Sequence, residues 1–190
     1  MKVLKIIIFV VLLGSFFTTL LVAINHYTTP IIQKNEELKK KRSVLDVFDI
    51  SYTKENLEDI FSDNIEVVQK ENKEFYLSLS REVAFGIKGS GVWGPIKGII
   101  AFNPDFESIK GITIIHQEET PGLGGRISEE EYLAKFQGKK VFPALKIVPH
   151  GKAKAENEVD AITGATMTSK AFEELINNQV GEYLALIKEN

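Results

Sequence analysis

The sequence predicts an α+β fold in which a single N-terminal transmembrane helix and a stalk lead into one domain with a central, mainly antiparallel sheet flanked by helices. Three observations carry this. Residues 6–24 hold no charge, strand-like runs crowd into residues 65–116, and an amphipathic run closes the chain. Strands gathered centrally with helices at the flanks indicate α+β rather than a regular βαβ alternation.

Taken in order, residues 6–24 read IIIFVVLLGSFFTTLLVAI, and at ~1.5 Å per residue a helix of this stretch reaches about 28 Å, enough to cross a hydrocarbon core. A cleaved signal peptide has a shorter apolar region ending at a small-x-small site, which Leu21 and Ala23 do not provide, so a retained anchor is expected over residues 1–25. Lys2 and Lys5 ahead of it favour a cytoplasmic N-terminus and an extracytoplasmic C-terminal domain in the inner or plasma membrane. Thr28-Thr29-Pro30 reads as a helix start, with proline in the first turn, opening a helical stalk over 26–50. The domain is expected over 51–190. Within it, 53–61 predicts a short helix. Runs 65–69, 75–79, 83–87, 97–102 and 109–116 predict strands, separated by Asn-Lys, Gly-Ser-Gly and Asn-Pro-Asp turn signals. Residues 129–136 look helical, 146–148 form a short strand, and 166–187 an amphipathic helix.

Composition narrows the function. A chain of 190 residues, 44% hydrophobic and 26% charged, has room for one domain and an appendage, and excludes wholesale disorder and a polytopic membrane protein. No cysteine is present, which removes disulfides, thiolate metal sites and thiol nucleophiles, so redox chemistry requires a bound cofactor. Residues 1–45 hold seven Lys/Arg against two Glu, whereas 46–190 hold 16 basic and 24 acidic residues, leaving the whole at −3. An acidic domain argues against nucleic-acid binding, which needs clustered cations. The basic stretch 39–42 is either a solvated helix face or a contact with anionic lipid. His26, His116 and His150 stand in neither HExxH spacing nor beside a GxSxG elbow, so no hydrolase site, catalytic residue or metal site is expected.

Three glycine-bearing segments remain. Gly89-Ser90-Gly91-Val92-Trp93-Gly94 satisfies GxGxxG, but Pro95 and a strand-like run follow where a dinucleotide motif must open a helix, so a loop between strands is expected. Trp93, the one tryptophan, is either core or a face for a flat aromatic ligand. The second segment, Glu118-Glu119-Thr120-Pro121-Gly122-Leu123-Gly124-Gly125, describes a sharply turning backbone that another group can approach closely. By residue type alone its two acids are consistent with solvated loop carboxylates. In the third, Asp160-Ala161-Ile162-Thr163-Gly164-Ala165-Thr166-Met167-Thr168-Ser169, either Thr163 or Asp160 caps the last helix, or the hydroxyl cluster and free N–H groups form an anion site.

These segments carry a resemblance. Asp-x-x-Thr-Gly-Ala-Thr-x-Thr-Ser resembles the flavinylation motif Asp-x-x-(Ser/Thr)-Gly-Ala-(Thr/Ser) of the FMN-binding domain family. His116-Gln117-Glu118-Glu119-Thr120-Pro121-Gly122-Leu123-Gly124 resembles that family's His-x-x-Glu-Thr-Pro-Gly-Leu-Gly segment, and Gly91-Val92-Trp93 its Gly-x-Gly-x-Trp element. Val92 stands where an aromatic residue or leucine is expected. The resemblance implies FMN joined covalently by a phosphodiester to Thr166, with Thr163, Gly164, Ala165 and Thr168 around the phosphate. It implies Glu119, Thr120, Pro121, Gly122, Leu123 and Gly124 near the flavin ring, with Trp93 beside them, and N–H groups of the 120–125 loop facing charge on the ring. It assigns no role to Asp160.

By size and layout the chain resembles, within this family, the G subunit of Rnf-type ferredoxin:NAD oxidoreductases, related to the C subunit of Na⁺-translocating NADH:quinone oxidoreductases. That implies an electron carrier without substrate-converting activity of its own, embedded beside other subunits of a membrane redox complex. It also implies maturation by a separate flavin transferase that uses FAD and Mg²⁺, because nothing near Thr166 in the sequence supplies an activating triad. The alternative from another class is a membrane-tethered binding or sensory domain that holds FMN or another phosphate ligand without electron throughput.

Overall fold

The computed structural model describes residues 2–188. The chain divides into two compact units, one up to Lys39 and one from Lys40 onward. The first unit lies within α1, Lys2–Val47, which among the described residues is the one helix long and apolar enough to cross a membrane. No helix starts at Thr28–Pro30 as the sequence suggested, because α1 runs through Pro30. The proline removes a single N–H, the one toward His26. Continuation therefore forfeits one backbone bond, and in the turn before it the hydroxyls of Thr28 and Thr29 donate to the Ile24 and Asn25 carbonyls at 2.9 and 2.6 Å.

In the second unit, α2 (Leu57–Asn64) precedes five strands: β1 (Ile65–Lys70), β2 (Lys73–Ser78), β3 (Val83–Ser90), β4 (Pro95–Phe102) and β5 (Ile109–His116). They form an antiparallel sheet, as the sequence predicted, with the strands in chain order as a meander. The helix expected from residue 53 begins only at Leu57, because Asn56 Oδ1 accepts the Thr53 N–H at 2.6 Å and its hydroxyl at 3.1 Å, holding a turn there. The helix expected over 129–136 is short α3 (Glu130–Leu133) between 3₁₀ turns at Gly124–Ser128 and Ala134–Phe136. β6 (Lys146–Val148) pairs in parallel with β7 (Glu158–Asp160), which the sequence did not suggest. The final helix, α4, spans Thr166–Lys188.

Both faces of the sheet are covered. Register places Phe75, Phe85, Ile100 and Ile112 side by side on one face, where they join Phe172, Leu175, Ile176 and Val180 of α4 and Leu133 and Phe136 in one buried cluster. Each fully buried side chain of this kind contributes roughly 1.5–3 kcal/mol. The opposite face carries Tyr76, Ala84, Ala101 and Gly111 in register. Tyr76 meets Phe61 edge-on at 6.2 Å, and a Cβ on Gly111 would lie 3.0 Å from the Val47 carbonyl, so the small residues let the end of α1 settle onto the sheet.

Candidate functional site

All three glycine-bearing segments meet at one end of the sheet. β3 and β4 are joined by a tight turn closed by Gly91 N–H donating to the Gly94 carbonyl at 2.7 Å, as the loop reading required. His116 ends β5 opposite Lys97 near the start of β4, so the 117–125 segment leaves beside that turn. α4 reaches the same place because Gly89 leaves room for it: a Cβ there would stand 3.0 Å from Leu175.

One side chain ties the three together. Glu119 is 4% exposed; its Oε1 accepts the N–H groups of Val92 and Trp93 at 2.7 and 3.1 Å, and its Oε2 accepts the Thr168 hydroxyl at 2.7 Å. All three partners donate, which is what a carboxylate requires. The solvated-acid reading therefore fails for Glu119 and holds for Glu118, which is exposed and contacts the exposed His116 at 3.1 Å. Glycines make the close approach possible. A Cβ on Gly91 would collide with Glu119 Oε1, and one on Gly124 would lie 2.5 Å from Thr168 Oγ1 and 2.7 Å from Glu119 Oε2.

Above this clamp lies a cleft of about 330 Å³. Val92 and Trp93 form one side, Thr120, Leu123 and Gly124 another, and Gly164 to Thr168 the third. Trp93 is 73% exposed and Met167 72%, so the rim is apolar and open. Thr163, Pro121 and Gly122 stand outside the lining. Gly122 (φ 74°) serves its turn instead, in the left-handed region that favours glycine, and Gly164 (φ 82°) adopts the same region within the lining. Val92 and Met167 were not singled out as site residues by the sequence; for Met167 the available signal is an apolar side chain left exposed in the first turn of a helix.

Thr166 is exposed and opens α4. The first α-helical bond is from Ser169 N–H to the Ala165 carbonyl, and among the described residues the N–H groups of Thr166, Met167 and Thr168 have no protein acceptor. Three free donors and the positive end of a 23-residue helix suit an anion at Thr166. The four hydroxyls divide: Thr168 donates to Glu119 and Ser169 Oγ accepts the Ile162 N–H at 3.1 Å, whereas Thr163 and Thr166 face solvent. In the 120–125 loop, the N–H groups of Leu123 and Gly125 both go to the Thr120 carbonyl, at 3.1 and 2.9 Å, so they are not open to a ring as the sequence suggested. Asp160 does not cap α4. Its Oδ1 accepts the Lys152 and Ala153 N–H groups at 3.0 Å, and these donors, Ala153 first, hold its carboxyl below the usual aspartate range. Among the described residues no group of three or more acids or histidines suits a metal ion.

Residues 91–181 match the FMN-binding domain family. The chain is 37% identical over 117 residues to the C subunit of the Na⁺-translocating NADH-quinone reductase of Haemophilus ducreyi, covering 56% of this chain and 46% of that one. It is 36% identical over 107 residues to the corresponding protein of Vibrio anguillarum, covering 53% and 42%. The matched stretch thus spans less than half the length of these curated relatives. The crystal structure of the same reductase's C subunit from Parabacteroides distasonis superposes with a TM-score of 0.74 at 26% identity, covering 84% of this chain and 96% of that one. NqrC of Shewanella oneidensis has the same fold, with a TM-score of 0.66 at 21% identity over 76% and 99%.

Proposed function

The chain belongs to the FMN-binding domain family, and from that premise we propose that it is the FMN-bearing electron carrier of a membrane-bound, ion-translocating oxidoreductase complex, with FMN esterified to Thr166 and the domain on the extracytoplasmic side. The observation that carries the reading is the Thr166 hydroxyl, exposed at the head of α4 beside three unbonded N–H groups and inside an apolar-rimmed cleft.

The residues present fit the group. The small side chains of Gly164 and Ala165 admit a phosphate to the backbone, and the N–H groups of Thr166, Met167 and Thr168 neutralise its charge. Trp93, Val92, Leu123 and Met167 offer apolar surface to a flat ring. FMN, when bound, supplies the electron-accepting and electron-donating chemistry. The chain's own part is to hold, orient and partly dry the site. Glu119 and the Thr168 hydroxyl act beneath it, fixing the Val92–Trp93 turn against α4 rather than meeting the phosphate.

Attachment needs a separate enzyme. The nearby carboxylate, Glu119, is fully engaged by donors and is not placed to take the Thr166 proton. A flavin transferase that joins Thr166 Oγ1 to the FMN phosphorus of FAD, releasing AMP and the hydroxyl proton, balances the step. Residues 6–24 contain no ionisable side chain, so the ion path belongs to other subunits. The finer assignment, an Rnf-type ferredoxin:NAD complex rather than a quinone reductase, rests on the resemblance in size and layout, and it is decided by which other chains co-purify from native membranes.

The test is intact mass spectrometry of the full chain made with the transferase. We expect an increment of FMN minus water, localised to the 160–170 peptide and missing in Thr166→Ala. An unmodified wild-type chain beside active transferase overturns the reading.

A further inference from the structure

β5 is an edge strand, and among the described residues its outer side is partnered only at the first residue: Ile109 N–H donates to the Lys139 carbonyl at 2.9 Å and Gly138 N–H to the Ile109 carbonyl at 2.8 Å. From Gly111 to Ile114, among the described residues, β4 is the only backbone partner and the outer side is unpaired. The same four residues are the floor of a hollow of about 820 Å³, larger than the cleft at Thr166 and separate from it.

The hollow follows from the layering. The last residues of α1 and the loop that follows, from Asp46 to Tyr52, continue the layer on one face of the sheet and form one wall. Ser128 to Gln137 forms the other, and its Leu133 and Phe136 belong to the core on the opposite face. Two layers flank an edge strand and leave its rim open between them. Register shifts at Lys97/Gly98 and Ala101/Phe102 bound the regular stretch, which at ~3.3 Å per residue offers about 13 Å of pairing edge.

Charge selects the occupant. Asp46, Asp49 and Glu130 line the hollow and no Lys or Arg does. Lys110 reaches in to pair with Asp49 at 3.0 Å and Tyr52 donates to Asp46 at 2.9 Å, so among the described residues Asp46 and Glu130 carry the negative charge left without a cation. A second copy would bring the same three acids and the same acidic domain to the contact, which repels it. We propose that this slot receives an extended segment bearing Lys or Arg from a different subunit of the complex, added as a strand to β5. Its main chain pairs with the free edge and its cations meet the acids on the walls. The inference rests on the reading of the chain as a subunit of a larger membrane assembly, but it uses none of the residues at Thr166.

The test compares hydrogen exchange in the full-length chain in detergent with the chain inside the complex purified from its native membranes. Of the 111–114 amides, the alternate ones that point away from β4 should exchange roughly ten-fold or more slowly in the complex, while β1 at the opposite edge exchanges alike in both. A photo-crosslinking residue in place of Thr113 should then join a basic segment of another subunit. Glu130→Lys should cut the yield several-fold and Glu130→Asp should restore it. Equal exchange at 111–114 in both states, or a crosslink to a second copy, overturns the inference. FMN content is read in the same preparations. Full FMN without protection at 111–114 overturns this inference alone, protection without FMN overturns the flavin reading alone, and a chain that purifies from its native membranes without other subunits overturns both.

Discussion

The cleft at Thr166 and the slot at β5 are built in opposite ways. The smaller one is knitted from three segments far apart in the chain, with a buried carboxylate at the joint and glycines wherever a Cβ would collide. The larger one has no such joint; it is what remains where two layers flank an unpaired edge, and its chemistry is a strip of backbone and three acids. On the reading proposed for Thr166, volume ranks them wrongly for cofactor binding. What suits the cleft to a phosphate is a set of pre-aimed N–H groups and a free hydroxyl, and what suits the slot to a peptide is a periodic row of donors and acceptors.

The strongest way to break the contrast is to exchange their phenotypes. Thr166→Ala is expected to abolish covalent flavin while leaving exchange at 111–114 unchanged, and Glu130→Lys to do the reverse. Mass spectrometry and hydrogen exchange on the same preparations decide it, and coupled losses would show one site rather than two. Next in size is the clamp. Glu119→Ala strands three donors, of which the buried Thr168 hydroxyl costs roughly 1–3 kcal/mol and the part-buried Val92 and Trp93 N–H groups less, together a large part of a domain's stability. Glu118→Ala, one residue away and exposed, should stay within about 0.5 kcal/mol. Trp93, the chain's one tryptophan, lies on the clamp and reports both unfolding curves by fluorescence. If the two variants unfold alike, Glu119 is not a joint. Smaller again is the glycine pair. Gly124→Ala pushes a methyl into Thr168 and Glu119 and should cost about 1–3 kcal/mol and lower flavin loading, whereas Gly122→Ala meets open space and costs only its left-handed backbone, about 1 kcal/mol.

The sheet was legible because its signals are local. Alternating apolar residues and the Asn-Lys and Asn-Pro-Asp turns placed every strand of the meander within about three residues, and the Glu71–Asn72 turn takes up the positive φ that a two-residue hairpin demands. Elements that local rules misplace are those with compensation from neighbours. α1 crosses Pro30 because the long helix-compatible stretches on both sides outweigh one lost backbone bond, and β7 is three residues, two of them acids, carrying no strand signal until β6 lies beside it. The site divides the same way. Three segments rich in small residues were visible as segments, and family resemblance marked Thr166 among them. The role of Glu119 was not visible, since its partners lie 26, 27 and 49 residues away and nothing in the spacing joins them.

Asp160 supplies the finest distinction between a residue of the cleft and a residue near it in sequence. The Ala153 N–H, with those of Lys152 and Gly151, holds its carboxyl below the ordinary 3.8, so the folded form binds its proton less readily than the unfolded chain does. The bonds therefore stabilise the 151–153 turn fully above 3.8 and are lost as pH falls through the depressed folded value. Amides of residues 151–153, corrected for intrinsic rates, should lose protection in acid while those of α4 keep theirs. In Asp160→Asn the side-chain oxygen still accepts, so the turn should persist and its pH dependence vanish. Covalent flavin already installed at Thr166 should be unaffected across the same range, because the cleft lining does not include Asp160. Protection of 151–153 that is indifferent to pH in the wild-type chain would remove Asp160 from the turn and reopen its assignment to the head of α4.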